Sequence, residues 1–264
     1  MSREKLNVLL ILVLVLLAAA GITAWLTHGD AEEPVETPAP IQSTEPVTPV
    51  ETTQPISSTV LPETPDAGQE YIDKMVFIGD STTYGLKFYG VLSGGENTDQ
   101  VWTPSSGTLA LFNQSFATIV YPKTGAEIPI TDAVADAQPE YLVLTIGVNG
   151  VSMMDETAFK ADYTALVERI QSVSPNTKII CNSIYPVESV YEAKDNGINN
   201  AKINAANLWI QDVAAATGSY YTDSASVLKG EDGCLVPAYG NGDGIHLCAD
   251  GFNLVLEYLR THAL

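Results

Sequence analysis

Histidine occurs three times in this 264-residue chain and cysteine three times, and only 12 Lys and Arg stand against 32 Asp and Glu. The shortage of cations leaves a formal charge of −20, which argues against nucleic acid and anionic membrane surfaces as partners. The few His and Cys form no cluster of ligand spacing, so neither a metal nor a cofactor is expected. The glycine-rich run Gly240-Asn241-Gly242-Asp243-Gly244 neither opens a helix after a strand nor has EF-hand spacing, which removes nucleotide and calcium loops. Cys181 sits in an apolar run and reads as a small core residue. Cys234 and Cys248 flank the loop that carries His246, and in an oxidising compartment they either pair as a disulfide or remain thiols.

Charge is missing altogether between Lys5 and Asp30. Within that gap lies an apolar run from Val8 to Leu26, preceded by Arg3 and Lys5. About 20 apolar residues span a bilayer, and the positive flank predicts a cytoplasmic amino terminus with the remainder exported. Ala18-Ala19-Ala20 offers small residues for cleavage, so residues 1–28 are either a transmembrane signal anchor or a cleaved signal peptide. The expected location is the cell membrane with the body outside, or secretion if the segment is removed. Residues 29–68 hold eight of the fifteen prolines and eight acidic residues with no Lys or Arg. Such a stretch buries too little apolar surface to fold and is expected to be a disordered linker. The body is then 69–264.

Within the body, strand-like and helix-like segments alternate, which predicts an α/β layer architecture. Expected strands are Met75–Ile78, Phe116–Tyr121, Tyr141–Ile146, Lys178–Ile184 and Tyr220–Thr222; the continuous apolar runs among them suit a buried parallel sheet. Expected helices are 84–91, 132–137, 155–172, 203–216 and 249–260. Phe252, Val255, Leu256 and Leu259 fall on one face of the last of these. Residues 92–106 read as loop. Tyr84, Phe88 and Tyr89 either line an acyl or sugar pocket or, as their helical spacing suggests, pack against the body.

Gly79-Asp80-Ser81 places a hydroxyl between a strand end and a helix start, the edge at which open α/β sheets bind ligands. Serine needs a base to become a nucleophile. Of the two histidines in the body, His262 is third from the end, which leaves His246. Asp243 precedes it by three residues, within reach of its ring. Gly147-Val148-Asn149-Gly150 should end at the same edge, where Asn149 is either an oxyanion donor or a turn residue. The Ser81 and Gly107 amides are further candidate donors, each worth about 3 kcal/mol of barrier if correctly aimed.

Gly-Asp-Ser, Gly-x-Asn and Asp-x-x-His, in that order over Lys74 to Leu259, resemble the SGNH/GDSL hydrolase family. The resemblance implies a flavodoxin-like three-layer α/β/α sandwich with a mainly parallel central sheet. It also implies ester hydrolysis through an acyl-serine, with Ser81 as nucleophile, His246 as base, Asp243 as acid, and Ser81, Gly107 and Asn149 around the oxyanion. Gly150 stands where the family usually has Asp. The expected substrate is a small acyl ester, O-acetyl above all, on a small molecule or envelope carbohydrate. An O-acyltransferase with the same triad and a non-catalytic glycan-binding module are the alternatives. Nothing in the sequence fixes the oligomeric state.

Overall fold

The structure is a computed structural model that describes residues 59–194 and 196–264; the apolar run Val8–Leu26 and the linker up to residue 58 lie outside it. Five parallel strands form the central sheet in the order β2-β1-β5-β6-β7, where β1 is Met75–Gly79, β2 Val101–Trp102, β5 Tyr141–Thr145, β6 Lys178–Asn182 and β7 Tyr220–Thr222. This is the doubly wound arrangement expected of the sequence. The chain leaves β1 toward β2 on one side and returns to β5 on the other, so the crevice at the carboxyl ends of β1 and β5 is a topological switch point.

The pleat sorts side chains onto the two faces. Phe77, Tyr141 and Val143 pack with Ile72, Leu86 and Phe252. Ile78, Leu142 and Leu144 pack with Val134, Phe159 and Ile210. Helices α1 (Gln69–Asp73), α2 (Ser81–Phe88) and α7 (Ala249–Arg260) therefore cover one face. The other face is covered by α3 (Ile130–Ala137), α4 (Glu156–Val173) and α6 (Asn200–Thr217); the single turn α5 (Ser189–Glu192) precedes α6. Each fully buried Leu, Ile or Phe contributes about 1.5–3 kcal/mol, which makes this two-sided core the main source of stability.

Four sequence expectations are corrected. Residues 92–106, read as loop, contain β2, an edge strand of two residues. Phe116–Tyr121 supplies only β3 (Thr118–Val120), which pairs antiparallel with β4 (Glu127–Pro129) outside the main sheet, because the Tyr121–Ala126 turn folds the chain back on itself. Helix α2 starts at Ser81 rather than Tyr84, since Asp80 caps it by accepting from the Thr82 N–H at 2.9 Å. The end of the Pro-rich stretch also lies along the body: Leu61 is buried, its N–H donates to Tyr221 O at 2.9 Å, and Val60 bridges Tyr221 in parallel register. All three cysteines are free, so Cys234 and Cys248 form no disulfide; the Cys248 thiol lies 3.4 Å from Ala238 O.

Among the described residues no helix is long and apolar enough to cross a membrane.

Candidate active site

Ser81 occupies the first position of α2, where the backbone N–H has no carbonyl partner within the helix. Its Oγ lies 2.9 Å from His246 Nε2, and His246 Nδ1 lies 2.6 Å from Asp243 Oδ2. Two segments far apart in the sequence, the start of α2 and the Asp243–His246 loop, thus form one continuous chain of polar contacts.

The loop that holds the acid and the ring is braced from within. Asn241 Oδ1 accepts the Asp243 N–H at 3.0 Å, and the Asn241 N–H donates to His246 O at 2.9 Å. Asp243 Oδ1 accepts the N–H groups of both Ile245 and His246 at 2.9 Å, leaving Oδ2 for the ring. Gly244, at φ 90°, takes a conformation that costs an L side chain energy and lets the chain turn between acid and ring. From outside, Gly244 O accepts the Glu188 N–H at 2.8 Å and Asp243 O accepts Lys194 Nζ at 2.9 Å.

The two carboxylates near Ser81 sit in opposite environments. Partial burial works to raise the Asp243 pKa, but the His246 and Ile245 N–H groups and the imidazole outweigh it and hold the carboxyl at about 2. Asp243 is therefore an anion throughout the neutral range. Asp80 is completely buried. Burial pushes its carboxyl up from the ordinary 3.8 to about 6, against the opposing pull of the Thr82 hydroxyl and N–H and of His246. Its Oδ1 accepts both Thr82 bonds, and its Oδ2 makes no hydrogen bond of good geometry, although the Gly147 N–H also favours the carboxylate.

The expected oxyanion donors fare differently. Gly107 lines the cleft beside Ser81, but its N–H already donates to Pro104 O at 2.9 Å in a tight turn, so that amide is not free to hold an oxyanion in this conformation. Asn149 is half-buried and gives one Nδ2 hydrogen to Leu109 O at 3.1 Å, leaving the second hydrogen without a partner. The Gly150 N–H closes onto Gly147 O at 2.8 Å, so the turn forms without an Asp at that position.

Two clefts meet at Ser81. One, of about 520 Å³, is bordered by Tyr84, Lys87 and the hydroxyl residues Thr103, Ser105, Ser106 and Thr108. The other, of about 190 Å³, runs past His246 and is walled by Tyr84, Phe88, Tyr89 and Phe252. Tyr84 is 43% and Phe88 61% exposed, so both are cleft walls rather than the packing residues that their spacing suggested. Asp80, Lys87 and Asn241 were given no role from the sequence; the Gly79-Asp80-Ser81 and Asn241-Gly242-Asp243 turns were local signals for Asp80 and Asn241, and nothing local pointed to Lys87. Among the described residues no group of three or more His, Cys, Asp or Glu is arranged to hold a metal ion.

Comparison with known proteins follows the same lines. No curated protein matches the chain. Among solved structures, a Streptococcus pneumonia protein provisionally described as a platelet activating factor superposes with a TM-score of 0.53 at 20% identity, over 71% of this chain and 82% of its own, a likeness of fold. A GDSL-like lipase from Bacteroides thetaiotaomicron aligns with a TM-score of 0.48 at 20% identity, over 71% of this chain and 86% of its own. The profile of the GDSL-like lipase/acylhydrolase family matches residues 77–254, from within β1 to within α7. With that match spanning the sheet, both clefts and the Asp243–His246 loop, the chain belongs to the GDSL-like lipase/acylhydrolase family.

Proposed function

We propose that the chain is an extracytoplasmic serine esterase that removes small acyl groups, O-acetyl above all, from a carbohydrate or similar alcohol. The observation that carries the chemistry is the 2.9 Å contact of Ser81 Oγ with His246 Nε2, backed by the 2.6 Å contact of the same ring with Asp243. In this reading His246 takes the Ser81 proton as Oγ attacks the ester carbonyl. Asp243, anionic at neutral pH, fixes the Nδ1–H tautomer and stabilises the imidazolium. The oxyanion is held by the Ser81 N–H at the positive end of α2 and by the unused Asn149 amide hydrogen. His246 then protonates the leaving alkoxide, and water, deprotonated by the same ring, releases the acid from Ser81.

The clefts support a division of the substrate by size and polarity. The small aromatic cleft suits a short acyl group, and the larger hydroxyl-lined cleft suits a polar alcohol. The location outside the membrane is supported by Arg3 and Lys5 ahead of the apolar run from Val8 to Leu26.

The test is turnover of 4-nitrophenyl acetate together with mapping of a fluorophosphonate label by mass spectrometry. The label is expected on Ser81, and Ser81→Ala is expected to lower kcat by roughly 10³-fold or more. A label on another residue, or equal turnover by Ser81→Ala, overturns the reading.

A further inference from the structure

Lys87 stands apart from almost all other cations of the described body. Lys74, Lys123, Lys160 and Arg260 are ion-paired with carboxylates. Arg169, Lys194 and Lys229 donate to oxygen acceptors, and Lys178 lies over the Tyr141 ring. Among the described residues only Lys87 and Lys202 have none of these partners, and Lys87 is the one that borders a cleft at Ser81. Carboxylates outnumber cations by 32 to 12 in this chain, so an ammonium group with no carboxylate beside it has escaped the commonest partner available. No Asp or Glu borders the cleft. Glu127, which bonds the cleft residue Ser105, does not line the cleft itself and is occupied by the hydroxyls of Ser105 and Thr118. The position of Lys87 in the last turn of α2 suits the helix dipole, which explains a cation there but not its facing a wall of hydroxyls.

We infer that the larger cleft selects an alcohol bearing an anionic group, such as the carboxylate of an acidic sugar, which pairs with Lys87 while the neighbouring hydroxyls bind the rest of the molecule. This rests on the esterase reading and adds the substrate's charge to it. A net charge of −20 repels anions at a distance. A local cation in a half-enclosed cleft reverses that preference at contact range, where the field is least screened.

The experiment compares two acetate esters of nearly the same shape, 4-acetoxybenzoate, which is anionic, and 4-acetoxybenzamide, which is neutral. The readout is the ratio of their kcat/KM values, measured for the wild type, Lys87→Met and Lys87→Arg. The ratio is expected to fall roughly threefold to tenfold in Lys87→Met and to be largely kept in Lys87→Arg. In the wild type it should move toward the Lys87→Met value as salt is raised. Turnover of both esters with the same ratio in the wild type and Lys87→Met overturns the inference and leaves the esterase reading intact. Turnover of neither ester counts against the esterase reading. In that event, NMR titration of the two compounds into Ser81→Ala protein, with and without Lys87→Met, still decides. Tighter binding of the anion that depends on Lys87 supports the inference, and equal binding overturns it.

Discussion

Two aspartates beside one serine show how environment assigns roles to identical side chains. Asp243 is reached by two backbone N–H groups and a ring, so its charge is welcome; Asp80 is shut away with one oxygen poorly paired, so its charge is costly. A carboxyl whose pKa is raised by folding stabilises the native state only while it is protonated. For Asp80 that contribution is complete below pH 3.8 and is lost as the pH rises through about 6. The shift is equivalent to roughly 3 kcal/mol. Asp80→Asn keeps an oxygen for the Thr82 cap and removes the titration. Denaturant unfolding of both proteins at pH 4 and pH 7 should therefore show the variant gaining on the wild type, by up to that amount, as the pH rises. A difference that stays flat across the interval would mean that Asp80 is not protonated on folding.

At the scale of elements, the contact between α2 and α7 sets the distance between hydroxyl and ring. Ser81 begins α2, and His246 lies two residues before Cys248, the cap of α7. The helices meet where Gly85 faces Phe252, and a Cβ on Gly85 would stand 2.4 Å from two atoms of that ring. Gly85→Val must push the helices apart or displace Phe252. Overpacking of this kind typically costs about 1–3 kcal/mol, but a shift near 1 Å between reacting groups costs on the order of 100-fold in rate. The variant is therefore expected to stay folded by circular dichroism while losing most of its kcat/KM. Unchanged activity would show that the ring swings aside without moving the loop.

The same scale explains what was legible beforehand. Tyr141–Thr145 and Lys178–Asn182 could be read because strands buried on both faces are continuously apolar, whereas Val101–Trp102 is too short to show any pattern. Ser81, Asp243 and His246 could be read because the body offers so few histidines and because the acid is local to the ring. Gly107 could not be judged, since whether its amide is free depends on how the 104–107 turn closes. Spacing put Tyr84 and Phe88 on a helix but could not say what, if anything, covered them.

At the scale of the whole molecule, both ends of the described body are tied together by the tail of the Pro-rich stretch. Residues 59–67 run along the outer edge of β7 and on to the end of α7. The Tyr221 N–H donates to Thr59 O at 2.8 Å, the Thr64 N–H to Thr261 O at 2.6 Å and the Ala67 N–H to Arg260 O at 2.9 Å. Asp66 pairs with Arg260 at 3.2 Å. This arm occupies the edge of a sheet that would otherwise present unpaired backbone groups to other chains. It also buries Leu61 against the face that carries α1 and α7. Composition had assigned these residues to a linker, yet the backbone groups of β7 need partners whatever the sequence that supplies them. A chain beginning at Gln69 should therefore be less stable than one beginning at Thr59. Burial of Leu61 is worth about 2 kcal/mol, and each bond to a half-buried backbone group adds about 1 kcal/mol, so a loss of roughly 3–5 kcal/mol is expected in denaturant unfolding. The shorter chain should also self-associate through the bared β7 edge, which sedimentation at increasing concentration would detect. Equal unfolding midpoints for the two chains, with both monomeric, would show that the arm only rests on the body and does not hold it together.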